Sequence, residues 1–339
     1  MTRSPRCRMR TDVRKRLWFG HLLFGGFACV AIAWPGPTVQ AQAAPLPARP
    51  AADSSFRDPA EYRLSMERAS ELSYLTVGGR QGLSGKVQFE ANIAPHLTAF
   101  WDRIGIELTP KVLIRMLADS SSTVRGPSYM PRGTLHFRRR KHLFRDAPLP
   151  DTVATVVSFT FSHHSNGLDG PFYLPGSPGV INTETGSFTT NFVELSFSEF
   201  SRGRRAMNSS VGVRVHLALN ENRQLRDARN STVQYGRYRL FGSAQGRVPF
   251  TLGRWPMNSN IAFTWQYALD KKYGTAKLVA MERATLSVSY VFLPEILRET
   301  GIYVQYFYGQ DYYNILYKSR LNSVRLGAAV RMGTQLREY

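Results

Sequence analysis

The sequence predicts an all-β protein, a transmembrane antiparallel β-barrel of the outer-membrane type with about 12 strands. Three observations predict it. Apolar and polar residues alternate along many segments, most of these segments run nine or more residues, and Tyr and Trp gather near their ends. Alternation with period two puts one apolar and one polar face on a strand. Nine to eleven residues is the length that crosses a bilayer at a tilt, and aromatic girdles mark its two interfaces.

The N-terminus supports export. Residues 1–16 carry seven Lys or Arg and one Asp, the stretch Leu17–Trp34 is apolar, and Ala41-Gln42-Ala43 is a small-x-small cleavage signature. Basic, apolar and small segments in that order form a secretory signal peptide, expected here over 1–43. The eighteen-residue apolar stretch is also about long enough to anchor in a bilayer. Its Gly residues, His21 and the signature after it favour removal. Both cysteines, Cys7 and Cys29, lie in the segment expected to be removed, which excludes a disulfide framework or a Cys-based metal site from the mature chain.

The 44 basic and 24 acidic residues give a net charge of +20; without the signal segment, 37 basic against 23 acidic leave +14. Such a balance asks for an anionic partner, nucleic acid or lipid head groups. Export favours lipid, and the chain carries no nucleic-acid-binding motif.

The Pro- and Ala-rich stretch 44–60 opens a partly flexible leader, 44–84, ahead of a barrel over 85–339. Expected strands are 85–93, 108–117, 132–140, 153–165, 191–201, 209–219, 232–244, 258–269, 284–292, 301–309 and 323–333. In the sixth, Val211, Val213, Val215, Leu217 and Leu219 oppose Gly212, Arg214, His216 and Ala218; in the last, Val324, Leu326, Ala328, Val330 and Met332 oppose Arg325, Gly327, Ala329 and Arg331. A soluble sandwich gives the same parity, so length and aromatics decide for the barrel. Eleven strands are one short of the even number usual in bacterial barrels. A twelfth is expected near 71–79 or between 94 and 107.

Chemistry concentrates in FTFSHHSNGLDG, Phe159–Gly170. In a regular strand Phe159, Phe161, His163 and Ser165 face one way, while Ser158, Thr160, Ser162 and His164 face the other. His163 and Ser165 therefore share the apolar face, as a base activating a serine nucleophile requires. The next strand, opening TTNFVELSF, puts Asn191 on the face of Val193 and Leu195. A neutral amide there can hold the imidazole in the tautomer that accepts the serine proton. Polar groups aimed at lipid are costly unless they satisfy one another. The bland alternative is that Ser-Asn-Gly only makes a hairpin turn.

His163-His164-Ser165-Asn166-Gly167, followed by Asn191 at the start of the next strand, resembles the outer membrane phospholipase A family. Weaker similarity extends through KVQFEANIAPHL at 86–97, SSTVRGPSYMPR at 121–132 and the C-terminal residues 303–330. The resemblance implies a twelve-stranded bacterial outer-membrane barrel that hydrolyses phospholipid acyl esters, needs Ca2+ and is switched on as a homodimer. It implies Ser165 as nucleophile, His163 as base, Asn191 as its orienting group and the Gly167 N–H as an oxyanion donor. It also implies calcium ligands at the Leu168 carbonyl, Ser187 and, from a second subunit, Ser121. The sequence departs from the family in two respects: Ser165 and Asn191 are 26 residues apart, about twice the family spacing, with Asp169 and Glu184 in that insertion as alternative metal ligands, and a polar residue of the family's dimer interface has no match.

Two other readings stay open. A lipid A deacylase barrel also uses His-x-Ser-Asn, with a Glu later in the site, but Glu194 has the wrong parity for it. A porin-like barrel needs only an Arg-lined lumen.

Overall fold

A computed structural model of the chain describes most of residues 62–335. Residues 1–61, 118–123, 140–151, 202–206, 218–234, 295–299 and 336–339 lie outside the description, with a few isolated positions. The expected signal peptide lies wholly among them.

In chain order the strands are β1 (Ser73–Val77), β2 (Arg80–Gln81), β3 (Gly85–Ile93), β4 (His96–Trp101), β5 (Ile104–Leu117), β6 (Ser128–Arg139), β7 (Thr152–Ser165), β8 (Thr189–Ser201) and β9 (Met207–Leu217). They continue as β10 (Tyr238–Leu252), β11 (Trp255–Ala268), β12 (Lys272–Tyr273), β13 (Ala276–Lys277), β14 (Ala284–Pro294), β15 (Thr300–Gln310), β16 (Arg320–Val330) and β17 (Gly333–Gln335). Neighbour pairs with neighbour from β5 to β11, β11 pairs with β14, and β14 to β16 follow in turn, while β12 and β13 form a separate two-stranded sheet; β16 then pairs with β1, β1 with β3, and β3 with β5. The result is a closed antiparallel barrel of 12 strands. Closure leaves no sheet edge, so every strand finds backbone partners without water.

Side chains confirm the inverted parity that lipid as solvent demands. Leu75, Ile106, Phe159, Phe161, Leu195, Val213, Val304, Val324 and Leu326 are exposed on the outer wall. Alternating with them, Glu90, Arg115, Thr160, Gln305 and Arg325 are buried inside. A soluble sandwich would bury the first set and expose the second. Among the described residues no helix is long and apolar enough to cross a membrane; the strands are the elements of spanning length.

The seam explains the missing strand. Both expected places hold one: β1 is the twelfth barrel strand, whereas β4 carries the line of β3 onward beside β5 after a break at Ala94-Pro95. The barrel therefore begins at Ser73, inside the stretch read as leader. Because β1 is short, β17 reaches past it to pair parallel with β4, and His96 N–H donates to the Met332 carbonyl at 2.8 Å. Gly327 makes the β16–β1 approach possible, since a Cβ there would lie 1.9 Å from the Leu75 carbonyl oxygen.

One strand is displaced from its expected bounds. β10 starts at Tyr238 and runs to Leu252, not over 232–244. Its outward positions include Gly242, Ala244 and Gly246, and Pro249 follows, so apolar alternation is weak where the strand is longest.

Side chains occupy much of the lumen and pack at both of its ends. Arg115, fully buried, pairs with Glu90 at 2.6 Å and Asp311 at 2.9 Å, and Arg325 reaches the second Glu90 oxygen at 2.5 Å. At one end Tyr62 and Met66 pack on Ala154, Val156 and Phe200. At the other, Phe172 and Phe188 pack on Ile315 and Tyr317. Between them lies a cavity of about 220 Å³, lined by Glu71, Arg132, His136, Thr160, Glu194 and Ser210 among others.

Candidate functional site

The site is built where β7 ends and β8 begins. Antiparallel pairing sets His163 directly opposite Asn191 and Ser165 opposite Thr189, with Tyr129 of β6 on the other side of Ser165. One step into the barrel wall, Phe161 faces Val193 and Phe159 faces Leu195. His163 and Ser165 thus sit at the top of an apolar outer stripe, both half-buried. Two residues apart on one strand face, they stand about 7 Å apart along the chain, within reach of an imidazole and a hydroxymethyl group leaning together.

His163 Nδ1 lies 2.8 Å from Asn191 Oδ1. An amide oxygen only accepts, so Nδ1 carries the proton and Nε2 keeps its lone pair. That leaves the nitrogen not bonded to Asn191 free to take a proton from a hydroxyl. His164, one residue on, points the opposite way: it is 5 % exposed, and its Nε2 is 2.6 Å from Ser128 Oγ inside the barrel. Parity therefore separates the two histidines as the sequence indicates.

Gly167 follows with φ 66°, in the left-handed region that favours glycine, and a Cβ there would also lie 3.2 Å from the Tyr129 ring. Conformation and space both call for Gly. The connection 166–188 closes at a narrow neck. Gly170 N–H donates to the Thr185 carbonyl at 3.0 Å, and Ser187 N–H donates to the Gly170 carbonyl at 2.8 Å. The neck brings Leu168 and Ser187, distant in sequence, to the same end of β7 and β8. Beyond it, Asn182 pins a turn, donating to Pro171 O and Thr185 Oγ1 and accepting from the N–H groups of Glu184 and Thr185. Asp169 and Glu184 are exposed, and Ser121 lies outside the described residues.

Among the described residues no cluster of three His, Cys, Asp or Glu side chains could hold a metal ion. A cation here would rest instead on carbonyl and hydroxyl oxygens, such as those of Leu168 and Ser187. Those are hard donors of the kind calcium takes, with water completing the shell.

Glu194 faces inward and pairs with Arg214 in the lumen. It takes no part in the outer-face cluster.

Sequence reasoning missed two features. Asn166 reads as a turn residue, yet its side chain is buried and bonds residues about twenty positions away. The aromatic cap formed by Phe172, Phe188, Tyr235 and Tyr317 joins three connections and leaves no local signal.

No family model and no curated protein matches the sequence. Solved structures do. Outer membrane phospholipase A from Escherichia coli superposes with a TM-score of 0.50 at 13 % identity, over 79 % of this chain and 98 % of that one. The fold is that of outer membrane phospholipase A. An active-site mutant of the same Escherichia coli protein gives a TM-score of 0.51 at 13 % identity, covering 77 % of this chain and 90 % of the other. The Salmonella typhi outer membrane phospholipase dimer with bound calcium gives the same values. At this identity the likeness speaks for the barrel; the site rests on its own geometry.

Proposed function

We propose that the chain is an outer-membrane phospholipase that hydrolyses the acyl esters of glycerophospholipids. The observation that carries the reading is the His163–Asn191 hydrogen bond on the outer wall, with Ser165 two residues along the same face. A serine hydrolase facing lipid instead of the lumen has lipid as its natural substrate.

In this reading Ser165 Oγ attacks the ester carbonyl as its proton passes to His163 Nε2. Asn191 holds the ring and keeps Nδ1 protonated. The Gly167 N–H donates to the oxyanion, a contribution commonly as large as any in acyl transfer. The proton on His163 then goes to the departing glycerol oxygen, which leaves as a lysophospholipid. Water, activated by the same imidazole, releases the fatty acid from Ser165. Calcium, held by the Leu168 carbonyl and Ser187 hydroxyl, would add positive charge beside the oxyanion. A homodimer would let Ser121 of a second copy join that shell, with water supplying the remaining oxygens.

Lipid A deacylation is disfavoured by the inward Glu194, and a porin role by the occupied lumen. The test is fatty-acid release from phospholipid in mixed micelles by refolded residues 44–339, with calcium or with a chelator, beside Ser165→Ala. Release requiring both calcium and Ser165 is the expected result. No release from a folded barrel in calcium would sink the reading.

A further inference from the structure

We propose that Asn166 is a positioning residue for the oxyanion donor, acting by tying the neck of the 166–188 connection so that Gly167 is held in one conformation. The inference rests on the phospholipase reading and goes beyond the triad.

Asn166 is 2 % exposed and uses both the donor and the acceptor end of its amide. Its Nδ2–H donates to the Gly186 carbonyl at 2.8 Å. Its Oδ1 accepts from the Phe188 N–H at 3.0 Å and the Leu168 N–H at 3.3 Å. Its own backbone N–H donates to the Phe188 carbonyl at 3.2 Å. One side chain thus binds the outgoing limb of the connection to the returning limb.

Gly167 lies between two of these anchors, Asn166 itself and the Leu168 N–H. A glycine left to itself populates both signs of φ about equally, so an N–H aimed by Gly alone would be poorly fixed. Oxyanion stabilisation depends on donors that need no reorganisation when charge develops. The anchors on either side supply that fixity. Behind the neck, Phe188 packs edge-on against His164 at 5.1 Å and lies 5.9 Å from the rings of Tyr235 and Tyr317. The clamp is therefore backed by a rigid wall.

The same clamp explains how an insertion of this length is compatible with the site. Extra residues enter beyond Gly170 and Thr185, while the geometry at Gly167 and Ser187 is set below that point. Only an amide satisfies the clamp. An ionised Asp accepts but cannot donate to the Gly186 carbonyl, and Ala does neither.

The experiment compares native chain, Asn166→Ala, Asn166→Asp and Ser165→Ala. It reads kcat and KM on micellar phospholipid, the rate at which a long-chain fluorophosphonate modifies Ser165, and the barrel's melting midpoint. In the probe reaction Ser165 Oγ bonds phosphorus, fluoride leaves and the proton goes to His163, so it samples the oxyanion site without deacylation. Expected for Asn166→Ala are a kcat loss of roughly a hundredfold, the scale of one oxyanion donor, a parallel loss in probe rate, an unchanged KM, and a lowered midpoint because the Gly186 carbonyl and the Leu168 and Phe188 N–H groups lose their partner. Asn166→Asp, which keeps both acceptor bonds, should recover part of the loss. Turnover within threefold of native in Asn166→Ala would overturn the proposal, as would equal loss of turnover in both variants. Retained turnover in Ser165→Ala would instead overturn the phospholipase reading on which it stands.

Discussion

At the scale of single residues, two adjacent histidines with opposite fates carry the clearest test. Ser165→Ala and His163→Ala are each expected to remove nearly all turnover, on the order of the 10³-fold or greater losses seen when a nucleophile or its base is deleted. Asn191→Ala should cost less, because water can partly replace an orienting amide. His164→Ala should leave turnover close to native and act on stability instead. It removes the 2.6 Å hydrogen bond to the buried Ser128 hydroxyl and the ring packed edge-on against Phe188, and a hydrogen bond of that kind contributes about 0.5–1.5 kcal/mol. Steady-state assays beside melting curves decide the matter, and equal turnover losses at both histidines would contradict the parity argument. The placement of these side chains was legible because strand parity is binary: once Phe159 and Phe161 are assigned outward, His163 and Ser165 must follow. Asn166 was not legible, because its partners at 186 and 188 are fixed by a loop closure that no local period encodes.

At the scale of elements, the strands with strong alternation were legible nearly to their ends, and the failures share a cause. β1 offers only five residues, and β10 alternates with Gly and Ala on its outer face, so neither presents the contrast that periodicity needs. The segment leading into β1 matters more than its composition suggests. Glu71 lies in the lumen with Lys111 Nζ at 2.5 Å and Arg132 Nη2 at 3.0 Å, and it accepts from Asn92 at 3.1 Å. Burial alone would raise its pKa, but Lys111 and Arg132 more than offset that and hold it down at about 2. A carboxylate lowered in the folded state stabilises fully above its ordinary value near 4.5 and loses that contribution as pH falls toward about 2. Glu71→Gln should therefore lower the melting midpoint at pH 7, and the gap from native should shrink between about pH 4.5 and 2. A gap independent of pH over that window would show that Glu71 contributes packing and not charge.

At the scale of the whole molecule, closure and filling answer the question that composition leaves open. A barrel with many Arg could be a pore, and the exterior pattern is the same in either case. What separates the two is the inside. Arg115, Arg325, Glu90 and Asp311 neutralise one another across the lumen, and removing one partner of such a buried pair typically costs about 3–5 kcal/mol. These residues hold the interior together and do not form a hydrated lining. Tyr62 and Met66 pack inside one end, and the Phe172, Phe188, Ile315 and Tyr317 cluster packs over the other. The charge pairing spans sequence separations above 190 residues, from Arg115 to Asp311, which is why no reading of the sequence could tell an occupied lumen from an open one. The occupied lumen makes a definite electrical prediction. Inserted into a planar lipid bilayer, the full mature chain should give no stepwise conductance of the size that open porins give. Discrete, long-lived steps would mean that the two ends part in the membrane, and the porin-like reading would then regain the ground it loses here. A silent barrel that still releases fatty acid would place all of its chemistry on the outer wall, where His163 and Ser165 already stand.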